Sequence, residues 1–475
     1  MTKGLAKKKI LVAALAVAVW APAAAGLCEA DSGLGPAGSS SGGSSSPADV
    51  GKRGRVVTRL FAPLYFHEAT RYFEGNGVPK DLPKARRLFQ RAAEAGIDRA
   101  QYNLAIMMEK GWGGPEDKVE ARRLYTLAAN QGFAAARLNL GSMLREGQGG
   151  PEDQQEARRL YASAANQGLA EAQFNLGVML DEGLGGPVDK AEARIYYSLA
   201  ADDYYSLDVK QEQKQPTVAR ELAQVRLALL WYSGEGGPQD LSEARRLFTL
   251  AAEEGLAEAQ NNLAKMMQDG EGGPVDLQKS LHYFSLAAEQ GLPMAQYNLG
   301  VVYLSGDLVE QDKAEARRLM TLAADQGVAA AQNDLGSMLE KGEGGPLDMA
   351  QARRYYLLAA EQGLANAQYN AASMLEDGRG GPMDQVEAHR YYSLAAEQGL
   401  ASAQYNLALM LIYGREGAPH DLKEGRRLLT LAAGQEMPQA QYVLGIFLRD
   451  GVAGPKDEAE AERLLKLAAE HGIGK

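Results

Sequence analysis

The chain has 475 residues, 45% of them hydrophobic and only 7% aromatic, with a formal net charge of −11. That length exceeds one ordinary compact core. The acidic balance excludes the dense basic patch that phosphate binding needs, so no nucleic-acid partner is expected. Abundant alanine and leucine point to helices packed through small side chains.

The N-terminus reads as a targeting signal. Lys3, Lys7, Lys8 and Lys9 precede an apolar run from Ile10 to Trp20, and small residues follow from Ala21 to Ala25. This is the order of a secretory signal peptide over residues 1–25, with Ala23 and Ala25 at the small positions before the cut. The run is too short to span a bilayer comfortably, so no integral membrane span is expected after cleavage. The expected location is secreted or periplasmic, or the secretory pathway of a eukaryote. Cys28 is the single cysteine, which rules out an intrachain disulfide. Leu27 directly before it fits a lipoprotein signal poorly, and a free thiol on a tail is the simpler reading. Residues 26–60 are rich in Gly, Ser and Pro and read as a flexible linker.

From residue 61 onward the chain repeats. Ala100, Ala136, Ala172, Ala223, Ala259, Ala295, Ala331, Ala367, Ala403 and Ala440 each open an AQYNLG-like stretch, mostly 36 residues apart. One interval is 51 and one is 37. A less regular unit before Ala100 makes eleven over 61–475. A fixed period of this size signals a solenoid, in which each unit buries its apolar face on its neighbours. The expected fold is therefore all-α, a right-handed superhelical solenoid of helix-turn-helix units.

Within the unit starting at Ala100, Leu104, Met107 and Met108 recur at helical spacing. Gly111, Gly113 and Gly114 end that helix and Pro115 prevents its continuation. Asp117 then stands where an N-cap belongs, with Glu120 three residues on, the pattern of a capping box. The same Asp-x-x-Glu gives candidate caps at Asp153, Asp189, Asp240, Asp312, Asp384, Asp421 and Asp457. The second helix carries Ala121, Leu124, Tyr125, Ala128 and Ala129 and stops at Gly132. The short connection makes the two helices antiparallel neighbours. The many arginines sit close to glutamates and read as ion pairs along helix faces.

The motifs AQYNLG, GxGGPxD and EARRLYxLAAxQG resemble the Sel-one-like repeat (SLR), a relative of the tetratricopeptide repeat. The resemblance covers about Leu64 to Lys475. Frequent Gly-Gly-Pro is a departure, and Leu308 to Asp312 lie closer to the usual family loop. The resemblance implies an adaptor that assembles protein complexes. It also brings a cysteine-rich subgroup associated with β-lactams, but the chain lacks those cysteines, so that activity does not carry over.

The residues offer little chemistry. His67, His282, His389, His420 and His471 are scattered, with no HExxH, so no metal and no cofactor is expected. No nucleophile elbow or P-loop lysine occurs. An enzyme is not expected; a cell-envelope hydrolase and a structural spacer are the alternatives. The better candidate is a row at the fourth position of the first helices: Asn103, Asn139, Asn175, Arg226, Asn262, Asn298, Asp334, Asn370 and Asn406. Lining the concave groove, its amides would hold an extended peptide by donor and acceptor together. Alternatively each Asn bonds a neighbouring helix and fixes the repeat angle. Tyr102, Tyr297, Tyr369, Tyr405 and Tyr442, one residue earlier, would add aromatic anchors or pack between repeats. An insertion near 202–216 follows the fourth unit and reads as a binding loop or a neutral one. The last helix carries Leu464, Leu465 and Leu467 without a further unit, which suggests a homodimer through that end.

Overall fold

The computed structural model describes residues 47–202, 218–307, 309–415 and 417–474. The expected signal peptide, the expected linker up to residue 46 and most of the insertion lie outside these residues. The described residues form 22 helices and no strand. They divide into two compact units at Ala251 and Ala252.

The first unit holds α1 (Pro47–Glu74), α2 (Leu82–Glu94), α3 (Asp98–Glu109), α4 (Lys118–Asn130), α5 (Ala134–Glu146), α6 (Gln154–Ala165), α7 (Ala170–Glu182), α8 (Lys190–Ala201), α9 (Val218–Ser233) and most of α10 (Leu241–Glu253). Helix α1 starts at Pro47, so residues 47–60, read above as linker, are helical. The Gly/Ser tract ends at Pro47, which suits a first helical position, and helix-compatible Ala48, Val50, Arg55 and Leu60 follow. From α1 to α9, each helix touches the helix before and after it, and α7 also meets α9.

The second unit holds α11 (Ala257–Asp269), α12 (Leu277–Glu289), α13 (Pro293–Ser305), α14 (Lys313–Asp325), α15 (Ala329–Lys341), α16 (Met349–Glu361), α17 (Ala365–Asp377), α18 (Gln385–Glu397), α19 (Ala401–Tyr413), α20 (Leu422–Gly434), α21 (Pro438–Asp450) and α22 (Glu458–Glu470). Contacts run from each helix to the next in order. Such neighbour-only packing is what a solenoid requires.

The core repeats with the sequence. The opening alanines, Ala100, Ala136, Ala331 and Ala367 among them, are fully buried. Their lack of bulk lets successive helices approach, and the aromatics of the second helices fill the space between. Tyr125, Tyr161, Tyr197, Phe248, Phe284, Tyr356 and Tyr392 are all essentially inaccessible. Three of these rings lie against a first-helix glycine. A Cβ on Gly141, Gly177 or Gly336 would come within 2.8 Å of Tyr161, 2.7 Å of Tyr197 or 2.8 Å of Tyr356.

Candidate functional site

The geometry separates polar side chains that hold the array together from those left over. The caps belong to the first group. Asp117 Oδ1 accepts from the Glu120 amide at 2.9 Å, and Asp153, Asp189, Asp240, Asp312, Asp384, Asp421 and Asp457 accept from the equivalent amide. Asp81, Asp276 and Asp348 do the same before Lys84, Lys279 and Gln351. The reciprocal half of a capping box is replaced. The Asp117 amide donates to Met108 O at 2.8 Å, closing the turn onto the first helix. Glu120 instead forms a two-bond pair with Arg123.

The paired arginines have different tasks. The second of each pair, such as Arg123, Arg159 or Arg318, meets its glutamate at i,i+3. The first reaches into the next repeat. Arg86, Arg122, Arg158 and Arg194 donate to Pro115 O, Pro151 O, Pro187 O and Pro238 O. In the second unit Arg317, Arg353 and Arg426 donate to Pro346 O, Pro382 O and Pro455 O. These corrections to the ion-pair reading explain Gly-Gly-Pro. A Cβ on Gly149 would lie 2.2 Å from Lys118 O, and one on Gly150 would lie 2.8 Å from the Arg122 guanidinium. The first glycine lets the loop touch the neighbouring helix start; the second leaves room for the guanidinium; the proline carbonyl receives its protons. Arg194 is additionally stacked on Trp231, 3.4 Å from the ring centroid, at the junction that follows the insertion.

A second linkage went unread in the sequence. A buried glutamine follows nine of the ten opening alanines (Arg137 follows Ala136), and in six repeats its amide bridges two helix ends. Gln332 Nε2 donates to Ala324 O of the preceding repeat at 3.0 Å, and its Oε1 accepts from Gln362 Nε2 at 2.7 Å. Gln260, Gln296, Gln368 and Gln404 repeat the arrangement. The pairing of AQ with a closing glutamine 30 or 31 residues later, in the repeats that form the bridge, was the available signal.

Most of the fourth-position row is also engaged. Asn298 and Asn370 donate to Asn261 Oδ1 at 2.8 Å and Asn333 Oδ1 at 3.1 Å, each on the preceding repeat. Asp334 accepts from the Tyr297 hydroxyl at 3.0 Å. Asn139 and Asn406 donate to the hydroxyls of Tyr125 and Tyr392, which in turn donate to Glu109 and Glu376. Arg226 pairs with Glu182 at 3.8 Å. Asn103 is buried, with its Oδ1 lacking a partner. Asn175 and Asn262 are half-buried and have no side-chain hydrogen bond among the described residues. Tyr102 packs on Tyr125 and Phe133, whereas Tyr297, Tyr369, Tyr405 and Tyr442 are half-exposed. Burial raises the Tyr102 phenol to about 12, and burial followed by Asp334 does the same for Tyr297, so both stay protonated. The same face carries exposed Met294, Val301 and Tyr413.

A cleft of about 470 Å³ lies beside α6, α7 and α8, lined by Asp153, Glu156, Arg158, Arg159, Leu176 and Glu192. Its polar groups have structural tasks: Asp153 caps α6, Glu156 holds Arg159, and Arg158 holds Pro187 O. Among the described residues no cluster of three or more His, Cys, Asp or Glu could hold a metal, and no helix is long and apolar enough to cross a membrane.

Antiparallel helix pairs linked only to their neighbours define a repeat protein of the solenoid type. The chain belongs to the Sel1 repeat family: the "Sel1 repeat" model matches residues 69–97, 98–133, 134–169, 170–205, 222–256, 257–292, 293–328, 329–364, 365–400, 401–436 and 438–473. Members are generally protein–protein interaction scaffolds, and the fold is typically non-catalytic. Among solved structures, the chain is similar to c5321, a protective antigen of uropathogenic Escherichia coli strains with an SLR fold. That match has 30% identity and a TM-score of 0.70, covering 87% of this chain and 85% of the other. It is also similar to a Sel1 repeat protein from Oxalobacter formigenes, with 29% identity and a TM-score of 0.53, covering 68% and 89%. No curated protein matches the chain.

Proposed function

We propose that the protein is an exported scaffold, secreted or periplasmic, that holds an extended protein segment against the face of its first helices. The observation carrying this reading is what remains on that face once the linking contacts are assigned. Asn175 and Asn262 keep a donor and an acceptor uncommitted among the described residues, and tyrosines and exposed Val301 lie on the same face of other repeats. Amides satisfy a peptide backbone in both senses, and aromatic side chains are favoured anchors at interfaces.

Export rests on the charged, apolar and small-residue order of residues 1–25. The similarity to a protective antigen of uropathogenic Escherichia coli strains supports it. Self-association through the C-terminal end is the second partner reading and has less support. On α22, Leu465 and Leu467 are half-buried while Glu462 and Lys466 are exposed, a mixed surface rather than an apolar one.

A photo-reactive residue placed at Lys265 or Val301 tests the reading in the producing cell, with Arg318 and Arg390 on second helices as comparison sites. Protein adducts are expected from the first pair. Equal adducts from both pairs, or none from the first, would count against it.

A further inference from the structure

The arginine of the loop contact is replaced at two junctions, and at one of them no other charged tie takes its place among the described residues. In α12, Leu281 occupies the place of the loop-binding arginine, and the loop that follows, residues 306–312, contains no Gly-Gly-Pro. Leu281 and Val309 pack instead on the edge of a small core formed by Ala264, Phe284, Leu299, Val302 and Leu319. A second feature lies one helix pair further on, since the small core itself runs across from α12 into α13. The larger core of this unit begins with Ala316 and Met320 and continues to Leu464, so the two cores meet inside α14. Met320 stands there where Phe284 and Tyr356 stand in neighbouring second helices.

The opposite end of this junction remains tied. Gln296 donates to Ala288 O at 3.3 Å and accepts from Gln326 at 2.8 Å, while Asn298 donates to Asn261 at 2.8 Å. Gln296 lies near the start of α13 and the loop begins at Gly306, ten residues and about 15 Å further along the helix. The junction is therefore held by hydrogen bonds at one end, while at the other, among the described residues, no arginine ties the loop and the contact is the apolar packing of Leu281 and Val309. His389 also replaces an arginine, yet there the loop is tied back by the ion pair of Arg415 with Glu376.

We propose that the junction between α12 and the α13–α14 pair is a hinge, opening on its loop edge and pivoting on Gln296 and Asn298. Opening changes the angle at which the exposed side chains of α13, Met294 and Val301, meet a partner. Local openings follow the contacts that must break, so the unlinked edge opens at lower cost than the linked ones.

Hydrogen exchange of the full chain, read by mass spectrometry, tests this. Amides of 306–312 and the first turn of α12 are expected to exchange about tenfold faster than those of 342–348 and 378–384, where Arg317 and Arg353 hold the loops. Replacing 306–312 by the equally long 342–348 sequence together with Leu281→Arg should remove the difference. Arg317→Leu should create it at 342–348, and does not depend on the graft folding. Equal exchange at linked and unlinked loops in the natural chain, or no response to Arg317→Leu, would overturn the hinge.

Discussion

Two residues mark where local conformation is least suited to the side chain. Glu436 and Ala453 are the only non-glycine residues with positive φ among those described, at 62° and 57°. Glu436 occupies the place of Gly399, the C′ glycine of the preceding repeat, whose φ is 90°. A left-handed conformation costs an L-residue about 1–2 kcal/mol. Glu436→Gly should therefore stabilise the chain by about 1 kcal/mol, seen as a raised urea midpoint. An unchanged or lowered midpoint would show that the Glu436 side chain makes a compensating contact. At this scale the caps were legible because Asp-x-x-Glu is a local signal. Asp81, Asp276 and Asp348 escaped it because Lys or Gln follows, although the cap itself needs only the aspartate oxygen and a backbone amide.

The helix pair was legible from alanine, leucine and glycine spacing, since those residues report burial directly. The links between pairs were not. A buried Gln332 and a loop-binding Arg122 are polar residues on helices and read as surface. Only their partners, a carbonyl 8 residues back and one 29 residues on, distinguish them. The two adjacent arginines should therefore behave differently. Arg122→Ala loses donors to Pro151 O and Gln148 O and should cost about 1–2 kcal/mol, reduced from the full value by partial exposure. Arg123→Ala loses one exposed i,i+3 pair and should cost no more than about 0.5 kcal/mol. Lysine should not restore Arg122, because one ammonium cannot reproduce the planar fork lying against Gly150. Equal midpoints for the two alanine variants would refute the distinction.

For the whole molecule, repetition accounts for the fold and leaves function to what repetition does not use. The row at the fourth position was legible as a row, but its composition concealed two populations. Asn298 and Asn370 are committed to the preceding repeat, whereas Asn262 is not, and sequence cannot tell identical residues apart when the difference lies 37 positions away. The most direct measurement compares Asn262→Ala with Asn298→Ala, using the protein segment recovered by crosslinking at Lys265 or Val301. Binding titrations and helix melting should be recorded on both. Asn262→Ala is predicted to weaken binding about fivefold, as one lost hydrogen bond of about 1 kcal/mol requires, with melting unchanged. Asn298→Ala should lower the melting midpoint. Undiminished binding by Asn262→Ala, with loss of helix stability instead, would contradict the assignment of the uncommitted amides to a partner.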